Sequence, residues 1–528
     1  MDFSSFIKII HYGQYLSPIL RYGYINTSRR GGRCYVYRWR NREYAPAGGS
    51  RHVFFVSGLF QADQKLGRQL FQRFRRYRPM SGRFFRVPGS FRDPSGYVFQ
   101  KEGRFFRRIT AAGRKDFDFF INSGTAESLL KKKKIVPFKV TEEEKLTLAL
   151  ETLPFISYPY EWSFSQLKEA ALLTLEIMFE ALDHGMILKD ASAFNIAFHK
   201  GEAVFLDHTS FSIYKEGTPW CAYRQFVNHF FIPLVLMRKK DLRLLGLFRN
   251  DLNGIPADLA VELLPWYSCF DLHVLFHIRL HAAFEKKYSG AERGKKELFI
   301  SRTHLKNLLG SMKEYIAGLG FPARKTLWAD YSGKCSYSDD ALEHKKKIVA
   351  DFCSRGKFNT LCDLGAAGGE FAAIAAQYAK LVLAADMDPC AVEDLYQKSK
   401  LFPNIQSILC DLNNPVPSLG VFTEERSSFF DRVKGDAVMG LALIHHLRIT
   451  GNWSLEQIVR LFRTIAPNAL VEFIPLDDPR CRQLLRGREG LCPEWNIENV
   501  TGAFQRVFKY CRRHTLPDSG RIILELND

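Results

Sequence analysis

The chain has 528 residues, of which 46% are hydrophobic and 25% charged. That is the balance of an ordinary globular protein, long enough for two to four domains at about 150 residues each; collagen-like, mucin-like and wholly disordered chains are excluded. The formal charge is +19. No run of about 18 apolar residues occurs, so no transmembrane helix is expected. The best stretch, 230–237, is short, contains Pro233 and abuts Arg238, Lys239 and Lys240.

The charge is unevenly placed. Residues 1–140 hold 29 Lys and Arg against 8 Asp and Glu, and the remainder of the chain holds 46 against 48. Residues 1–90 form a basic extension that interleaves Arg with aromatics, as in Tyr35, Tyr37, Arg38, Trp39, Arg40 and in Phe71, Arg73, Phe74, Arg75, Arg76, Tyr77. Such pairs can stack on bases, so a nucleic-acid partner is one reading. A basic extension without a specific partner is the plainer one, since no nucleic-acid-binding motif accompanies the charge. The first 30 residues hold one acid, Asp2, among several Ser and Arg, loosely in the manner of a transit peptide. Eleven cysteines are scattered from Cys34 to Cys511, an odd count with no Cys-x-x-Cys pair. Reduced thiols in a cytoplasmic protein are expected, most of them filling cores, with neither a disulfide framework nor a structural zinc site.

Segment 97–108 reads as a β-hairpin turning at Gly103, and Lys131–Lys134 as a solvated helix end. Over 165–183 the apolar residues Leu167, Ala170, Leu173, Leu175, Met178 and Leu182 recur at helical spacing, with Gly185 as the stop. Two short extended runs follow, 196–198 and 203–206, and 220–320 is mostly helical. A polar stretch, 329–334, marks a domain boundary near 330. Beyond it strands are expected at 359–363, 381–386, 405–410, 436–442 and 469–474, with helices between them, including 371–380 and 454–465. That alternation implies a doubly wound parallel α/β sheet. Two last strands, 506–511 and 521–526, lack a long intervening helix and should pair antiparallel at the sheet edge.

The segment Leu361-Cys362-Asp363-Leu364-Gly365-Ala366-Ala367-Gly368-Gly369 ends the first of these strands in an acid and a Gly-rich turn. Ligands of doubly wound sheets lie beyond the carboxyl ends of the strands. The turn is not a clean dinucleotide fingerprint, and Asp363 would repel a pyrophosphate. A carboxylate there suits a ligand bearing an amine, which favours S-adenosyl-L-methionine. Asp386 ends the second strand, 21 residues after Gly365, where a carboxylate binds ribose hydroxyls; Asp388 competes for that role. Asp411 ends the third strand, within reach of an adenine amine.

This half resembles the class I S-adenosylmethionine-dependent methyltransferases, over roughly 355–528. The resemblance implies a Rossmann-like domain in which Asp363, Gly365 and Gly369 line the methionine part, Asp386 holds the ribose and Asp411 sits near the adenine. Ala367 stands where many members have glycine. After the fourth strand, Leu441 to Leu447 carries His445 and His446, similar to a His-His segment of these enzymes. Either histidine is a candidate general base, or it packs and bonds the loop. Glu472, at the fifth strand, either touches substrate or pairs with a buried neighbour.

A second constellation lies upstream. Asp190-x-x-x-x-Asn195, an extended run and Asp207 resemble the core of protein-kinase-like and aminoglycoside-phosphotransferase-like proteins. That implies an α+β kinase-like region over 91–330, with Asp190 orienting a hydroxyl and Asn195 and Asp207 holding Mg²⁺ for ATP. The resemblance lacks a Gly-rich phosphate loop and an obvious nucleotide lysine, and His208 follows Asp207. The alternative is that Asp190 and Asn195 only fix a turn. From about 95 to 528 the chain resembles a bacterial family of two-part proteins, a reduced kinase-like region joined to a methyltransferase domain (331–528), which includes rhizobial host-specific nodulation proteins. The stretches that carry it are 155–164, 188–195, 219–226 and 441–447. The expectation is a methyltransferase acting on a small-molecule or glycan-type acceptor. The rivals are a Mg²⁺-dependent phosphotransferase and a cofactor-binding scaffold that contacts nucleic acid.

Overall fold

The computed structural model describes residues 84–528 apart from 142–145, 289–298, 323–336, 488–489 and 491, together with the antiparallel strands Thr27–Arg30 and Arg33–Val36. The rest of the basic extension and the boundary near 330 lie outside the described residues. Contacts divide the chain into a small unit, 14–85, and a large one that runs from 86 to the C-terminus.

The first half of the large unit begins with the expected hairpin. Gly96–Lys101 and Arg104–Ile109 pair antiparallel, Phe99 stacks on Phe106 at 5.4 Å, and Gly103 turns the chain at φ +79°. Arg104–Ile109 pairs in turn with Thr147–Leu150, and that strand with Phe138–Val140. The helix Thr125–Lys131 ends in the solvated lysines, of which Lys132 and Lys134 pair with Glu180 and Glu176.

The expected amphipathic helix runs Phe164–Asp183. Ser163 and Gln166 close a capping box at its start, and Gly185 at φ +76° follows its end. The two extended runs form a hairpin, Ile196–His199 with Glu202–Phe205. Phe211–Ile213 turns back onto Met186–Leu188. Helices, including Ile232–Lys239 and Arg302–Gly318, account for most of the rest.

The second half opens with the helix Asp339–Gly356 and then alternates as expected. Its strands are β1 Thr360–Leu364, β2 Leu381–Asp386, β3 Ile405–Leu409, β4 Ala437–Gly440, β5 Asn468–Phe473, β6 Tyr510–Thr515 and β7 Ile522–Asn527. They lie in the order β3-β2-β1-β4-β5-β7-β6. The first five are parallel, and β7 runs antiparallel to both β5 and β6. One expectation shifts: the strand placed at 506–511 begins four residues later, because Asn496 caps a helix over Ile497–Gln505.

The two halves share a broad contact along edge strand β3. Gln406 of β3 donates to the Phe198 carbonyl (3.1 Å), Ser165 N to Glu393 (3.0 Å) and Lys400 to Glu169 (2.7 Å). Cys390, Tyr396 and Val416 join the core of the first half, and Phe155 joins a core of the second.

Candidate active site

The carboxyl ends of β1, β2 and β3 bring Asp363, Asp386 and Asp411 to one side of the sheet. Asp363 is 2% exposed, and its Oδ2 has no hydrogen-bond partner among the described residues. Burial, and then the neighbouring charge of Asp386, raise its pKa to about 7. A carboxyl left in that state is costly unless a donor or cation completes it.

The turn after β1 is shaped for close approach. Gly365 and Gly369 sit at φ +69° and +79°, and a Cβ on Gly369 would lie 2.5 Å from Leu395. Ala367 takes φ +46°, so the chain keeps a left-handed turn with alanine in the position and carries the strain. Ala367 N is fixed by Asp386 Oδ2 (2.8 Å), while Asp386 Oδ1 accepts from Asp388 N (2.8 Å). Burial raises the Asp386 pKa although these amides oppose the shift. Asp388, the competitor, is committed elsewhere: its Oδ1 caps the helix Pro389–Leu401 through Cys390 N at 2.9 Å. Asp411 accepts from the backbone and side chain of Asn413, at 2.8 and 3.2 Å.

Beyond β4, Ala442 is a second alanine at positive φ, +52°. His445 is fully buried, and neither ring nitrogen has a hydrogen-bond partner among the described residues. Burial, then the adjoining His446 ring and the charges of Arg521 and Lys345, hold its pKa well below the usual histidine range, so the ring is neutral. Burial likewise lowers His446 to about 4, and the two rings lie 4.0 Å apart.

Glu472 is paired, in a network that sequence reasoning did not find. Lys345 Nζ reaches Glu472 Oε2 at 2.8 Å and the Tyr337 hydroxyl at 2.9 Å. Tyr337 donates to Glu472 Oε1 at 2.6 Å. Arg521 stacks on Tyr337 (4.1 Å) and pairs with Asp478 (2.9 Å). One signal for Lys345 was available: it lies on the stripe Ala341, Ile348, Val349, Phe352 of its helix, and a lysine on an apolar stripe implies a buried partner.

The upstream constellation comes together differently. Asp190 accepts from Ser192 N (3.0 Å) and Gln225 Nε2 (2.8 Å), and Asn195 donates to Ser210 (3.3 Å). Asp207 is buried and its Oδ1 is held three times over: Arg107 Nη1 lies at 2.6 Å, Thr209 Oγ1 at 2.6 Å and Thr209 N at 2.8 Å. Burial opposes its charge, yet Arg107 and the Thr209 hydrogen bonds hold its pKa below the usual value. Arg107, on the hairpin some hundred residues upstream, carried no sequence signal. No group of three or more His, Cys, Asp or Glu among the described residues is arranged to hold a metal.

The strand order, with β7 antiparallel and acids closing β1 to β3, defines the class of fold: a doubly wound, Rossmann-like sheet. No family model matches the chain. It is 31% identical over 456 residues to nodulation protein NoeA of Rhizobium meliloti (strain 1021), which covers 83% of this chain and 95% of that protein. The chain therefore belongs to the NoeA family of nodulation proteins. Among solved structures, the N-methyltransferase NodS from Bradyrhizobium japonicum WM9 is 13% identical over 36% of this chain and 98% of its own, with a TM-score of 0.27. The magnesium protoporphyrin IX methyltransferase ChlM from Synechocystis PCC 6803, with bound SAH, is 16% identical over 38% and 93%, with a TM-score of 0.26.

Proposed function

We propose that the second half binds S-adenosylmethionine and transfers its methyl group to a small-molecule or glycan-type acceptor. The observation that carries this reading is Asp363: a buried carboxyl with an unpartnered oxygen beside the Gly365–Gly369 turn. The residues present fit the cofactor. Asp363 suits the ammonium of its methionine part, Gly365 and Gly369 leave room for its chain, and Asp386, at the carboxyl end of β2, suits ribose hydroxyls. Asp411 suits the adenine amine. When bound, the sulfonium supplies an activated methyl group; the chain aligns the acceptor and excludes water.

Acceptor recognition is assigned to the ends of β4 and β5, where His445, His446 and the Tyr337–Lys345–Glu472 network lie. A neutral His445 is in the form a general base requires. Titration with S-adenosylhomocysteine, followed by a screen of labelled methyl transfer to saccharide and small-molecule acceptors, tests the reading. Binding without transfer to any acceptor would favour a scaffold.

A kinase-like first half, with Asp190 as the hydroxyl-orienting acid and Asn195 and Asp207 as Mg²⁺ ligands for ATP, is the second reading. The closeness of Asp190, Asn195, Asp207 and Ser210 on one hairpin and its flanks favours it. Arg107 weighs against its activity, because a guanidinium already neutralises Asp207. Mg²⁺-dependent nucleotide binding abolished by Asp207→Asn would support it.

A further inference from the structure

We infer that Glu161 of the first half and Arg432 of the second form a clamp that positions Asp411, and so sets how the site recognises the cofactor's adenine amine. The inference rests on the cofactor reading above. Asp411 stands at the head of a long connection between β3 and β4; its carboxylate accepts from Asn413 and its carbonyl from Asn414 N (3.0 Å). Its neighbour Cys410 donates its backbone N–H to the Asp386 carbonyl at 2.8 Å, so this point of the chain joins the two acids.

The remainder of that connection is held from the other half. Arg92 grips Glu425 through two nitrogens, one at 2.9 Å. Ser427 N donates to the Tyr158 hydroxyl (3.1 Å), and Arg426 lies 4.2 Å from the Phe194 ring centre. Arg432 donates to the Ile156 carbonyl (3.0 Å), covers Tyr158 at 4.3 Å and pairs with Glu161. Glu161 is fully buried and its second oxygen accepts from Tyr158 N at 2.8 Å. Val416, on the same connection, is buried in the core of the first half. The charges of Glu161 and Arg432 both act on Cys410, next to Asp411.

Removing one member of a buried pair leaves its partner uncompensated, and the backbone shifts to hydrate it. A hydrogen bond to an exocyclic amine tolerates misplacement of only about 0.5 Å. Glu161 and Arg432 are therefore positioning residues: they touch no ligand and act through Asp411. The aromatic string 155–164, which carries much of the family resemblance, is then the part of the first half that completes the second half's cofactor site.

The test uses the full chain and two probes, S-adenosylhomocysteine and S-inosylhomocysteine, which differ at the adenine amine. Wild type should bind the adenosyl form about tenfold or more tightly than the inosyl form. Glu161→Gln should weaken adenosyl binding about tenfold and leave inosyl binding nearly unchanged, so that discrimination collapses as it does in Asp411→Ala. Tyr158→Phe, which removes only the hydroxyl that holds Ser427, should lose part of it and covers the case in which Glu161→Gln does not fold. Unchanged discrimination in both variants, or equal loss for both probes, would overturn the clamp. Failure of wild type to bind either probe would overturn the cofactor reading and the clamp with it.

Discussion

Asp207 in the first half and Asp363 in the second are both buried acids at or just beyond the end of a strand, and they are opposites. Asp207 is surrounded by Arg107 and Thr209 and stays charged. Asp363 keeps an oxygen without a partner and its pKa rises to about 7. The first acid has its countercharge within the chain, whereas the second, on the proposed reading, meets its own only in a ligand. An acid at a strand end is thus weak evidence of a ligand site until its partners are counted; its unmet hydrogen-bonding capacity is what separates a binding group from a structural one.

The largest effect that would break this contrast is on stability. Asp207→Ala leaves a buried guanidinium unpaired and should cost about 3–5 kcal/mol in urea unfolding, with S-adenosylhomocysteine affinity of the folded protein unchanged. The double variant Arg107→Met/Asp207→Leu should recover most of it, because both charges are then gone. Weakened ligand binding in a folded Asp207 variant would erase the distinction between the two acids.

Asp363→Ala should do the reverse. Calorimetry should register a loss of about 2–3 kcal/mol in ligand affinity, the worth of a charged hydrogen bond, while the ligand-free protein becomes more stable at neutral pH because a buried carboxylate is gone. A large stability loss without a binding loss would make Asp363 structural.

The pH dependence sharpens the same point. A ligand ammonium needs the carboxylate, so affinity should fall as pH drops through about 7, about tenfold per unit at most. Asp363→Asn should flatten the profile. The ligand-free protein has the opposite sign. Its folded state binds more protons than the unfolded chain between 3.8 and about 7, so Asp363 makes it more stable as pH falls across that window. The smallest effect belongs to Asp386→Ala, about 1 kcal/mol of affinity from lost ribose contacts.

The sequence made the second half legible because its signals are local. Apolar runs of strand length, helices between them and a Gly-rich turn behind an acid all fall within short windows. The edge strand at 510–515 was expected four residues early: Arg512 and Arg513 stand where a half-buried strand would alternate apolar residues, and Val507 and Phe508, just before it, mimic one. Of the site, the three acids and the turn were visible, but the partners that decide their meaning were not. Arg107 meets Asp207 across 100 residues, Lys345 meets Glu472 across 127 and Arg432 meets Glu161 across 271. No spacing rule reaches so far; only the packing of elements brings these charges together. Ala367 shows the other limit, since an alanine that looks like a departure in sequence still takes the left-handed conformation of a glycine in the structure.

The most direct measurement is calorimetric titration of S-adenosylhomocysteine into wild type, Asp363→Ala and Asp207→Ala side by side. Wild-type affinity in the folded Asp207 variant, with affinity lower by about 2–3 kcal/mol in the Asp363 variant, is the predicted result. An Asp363 variant that binds as wild type does would contradict the assignment of that buried carboxyl as the group a ligand completes.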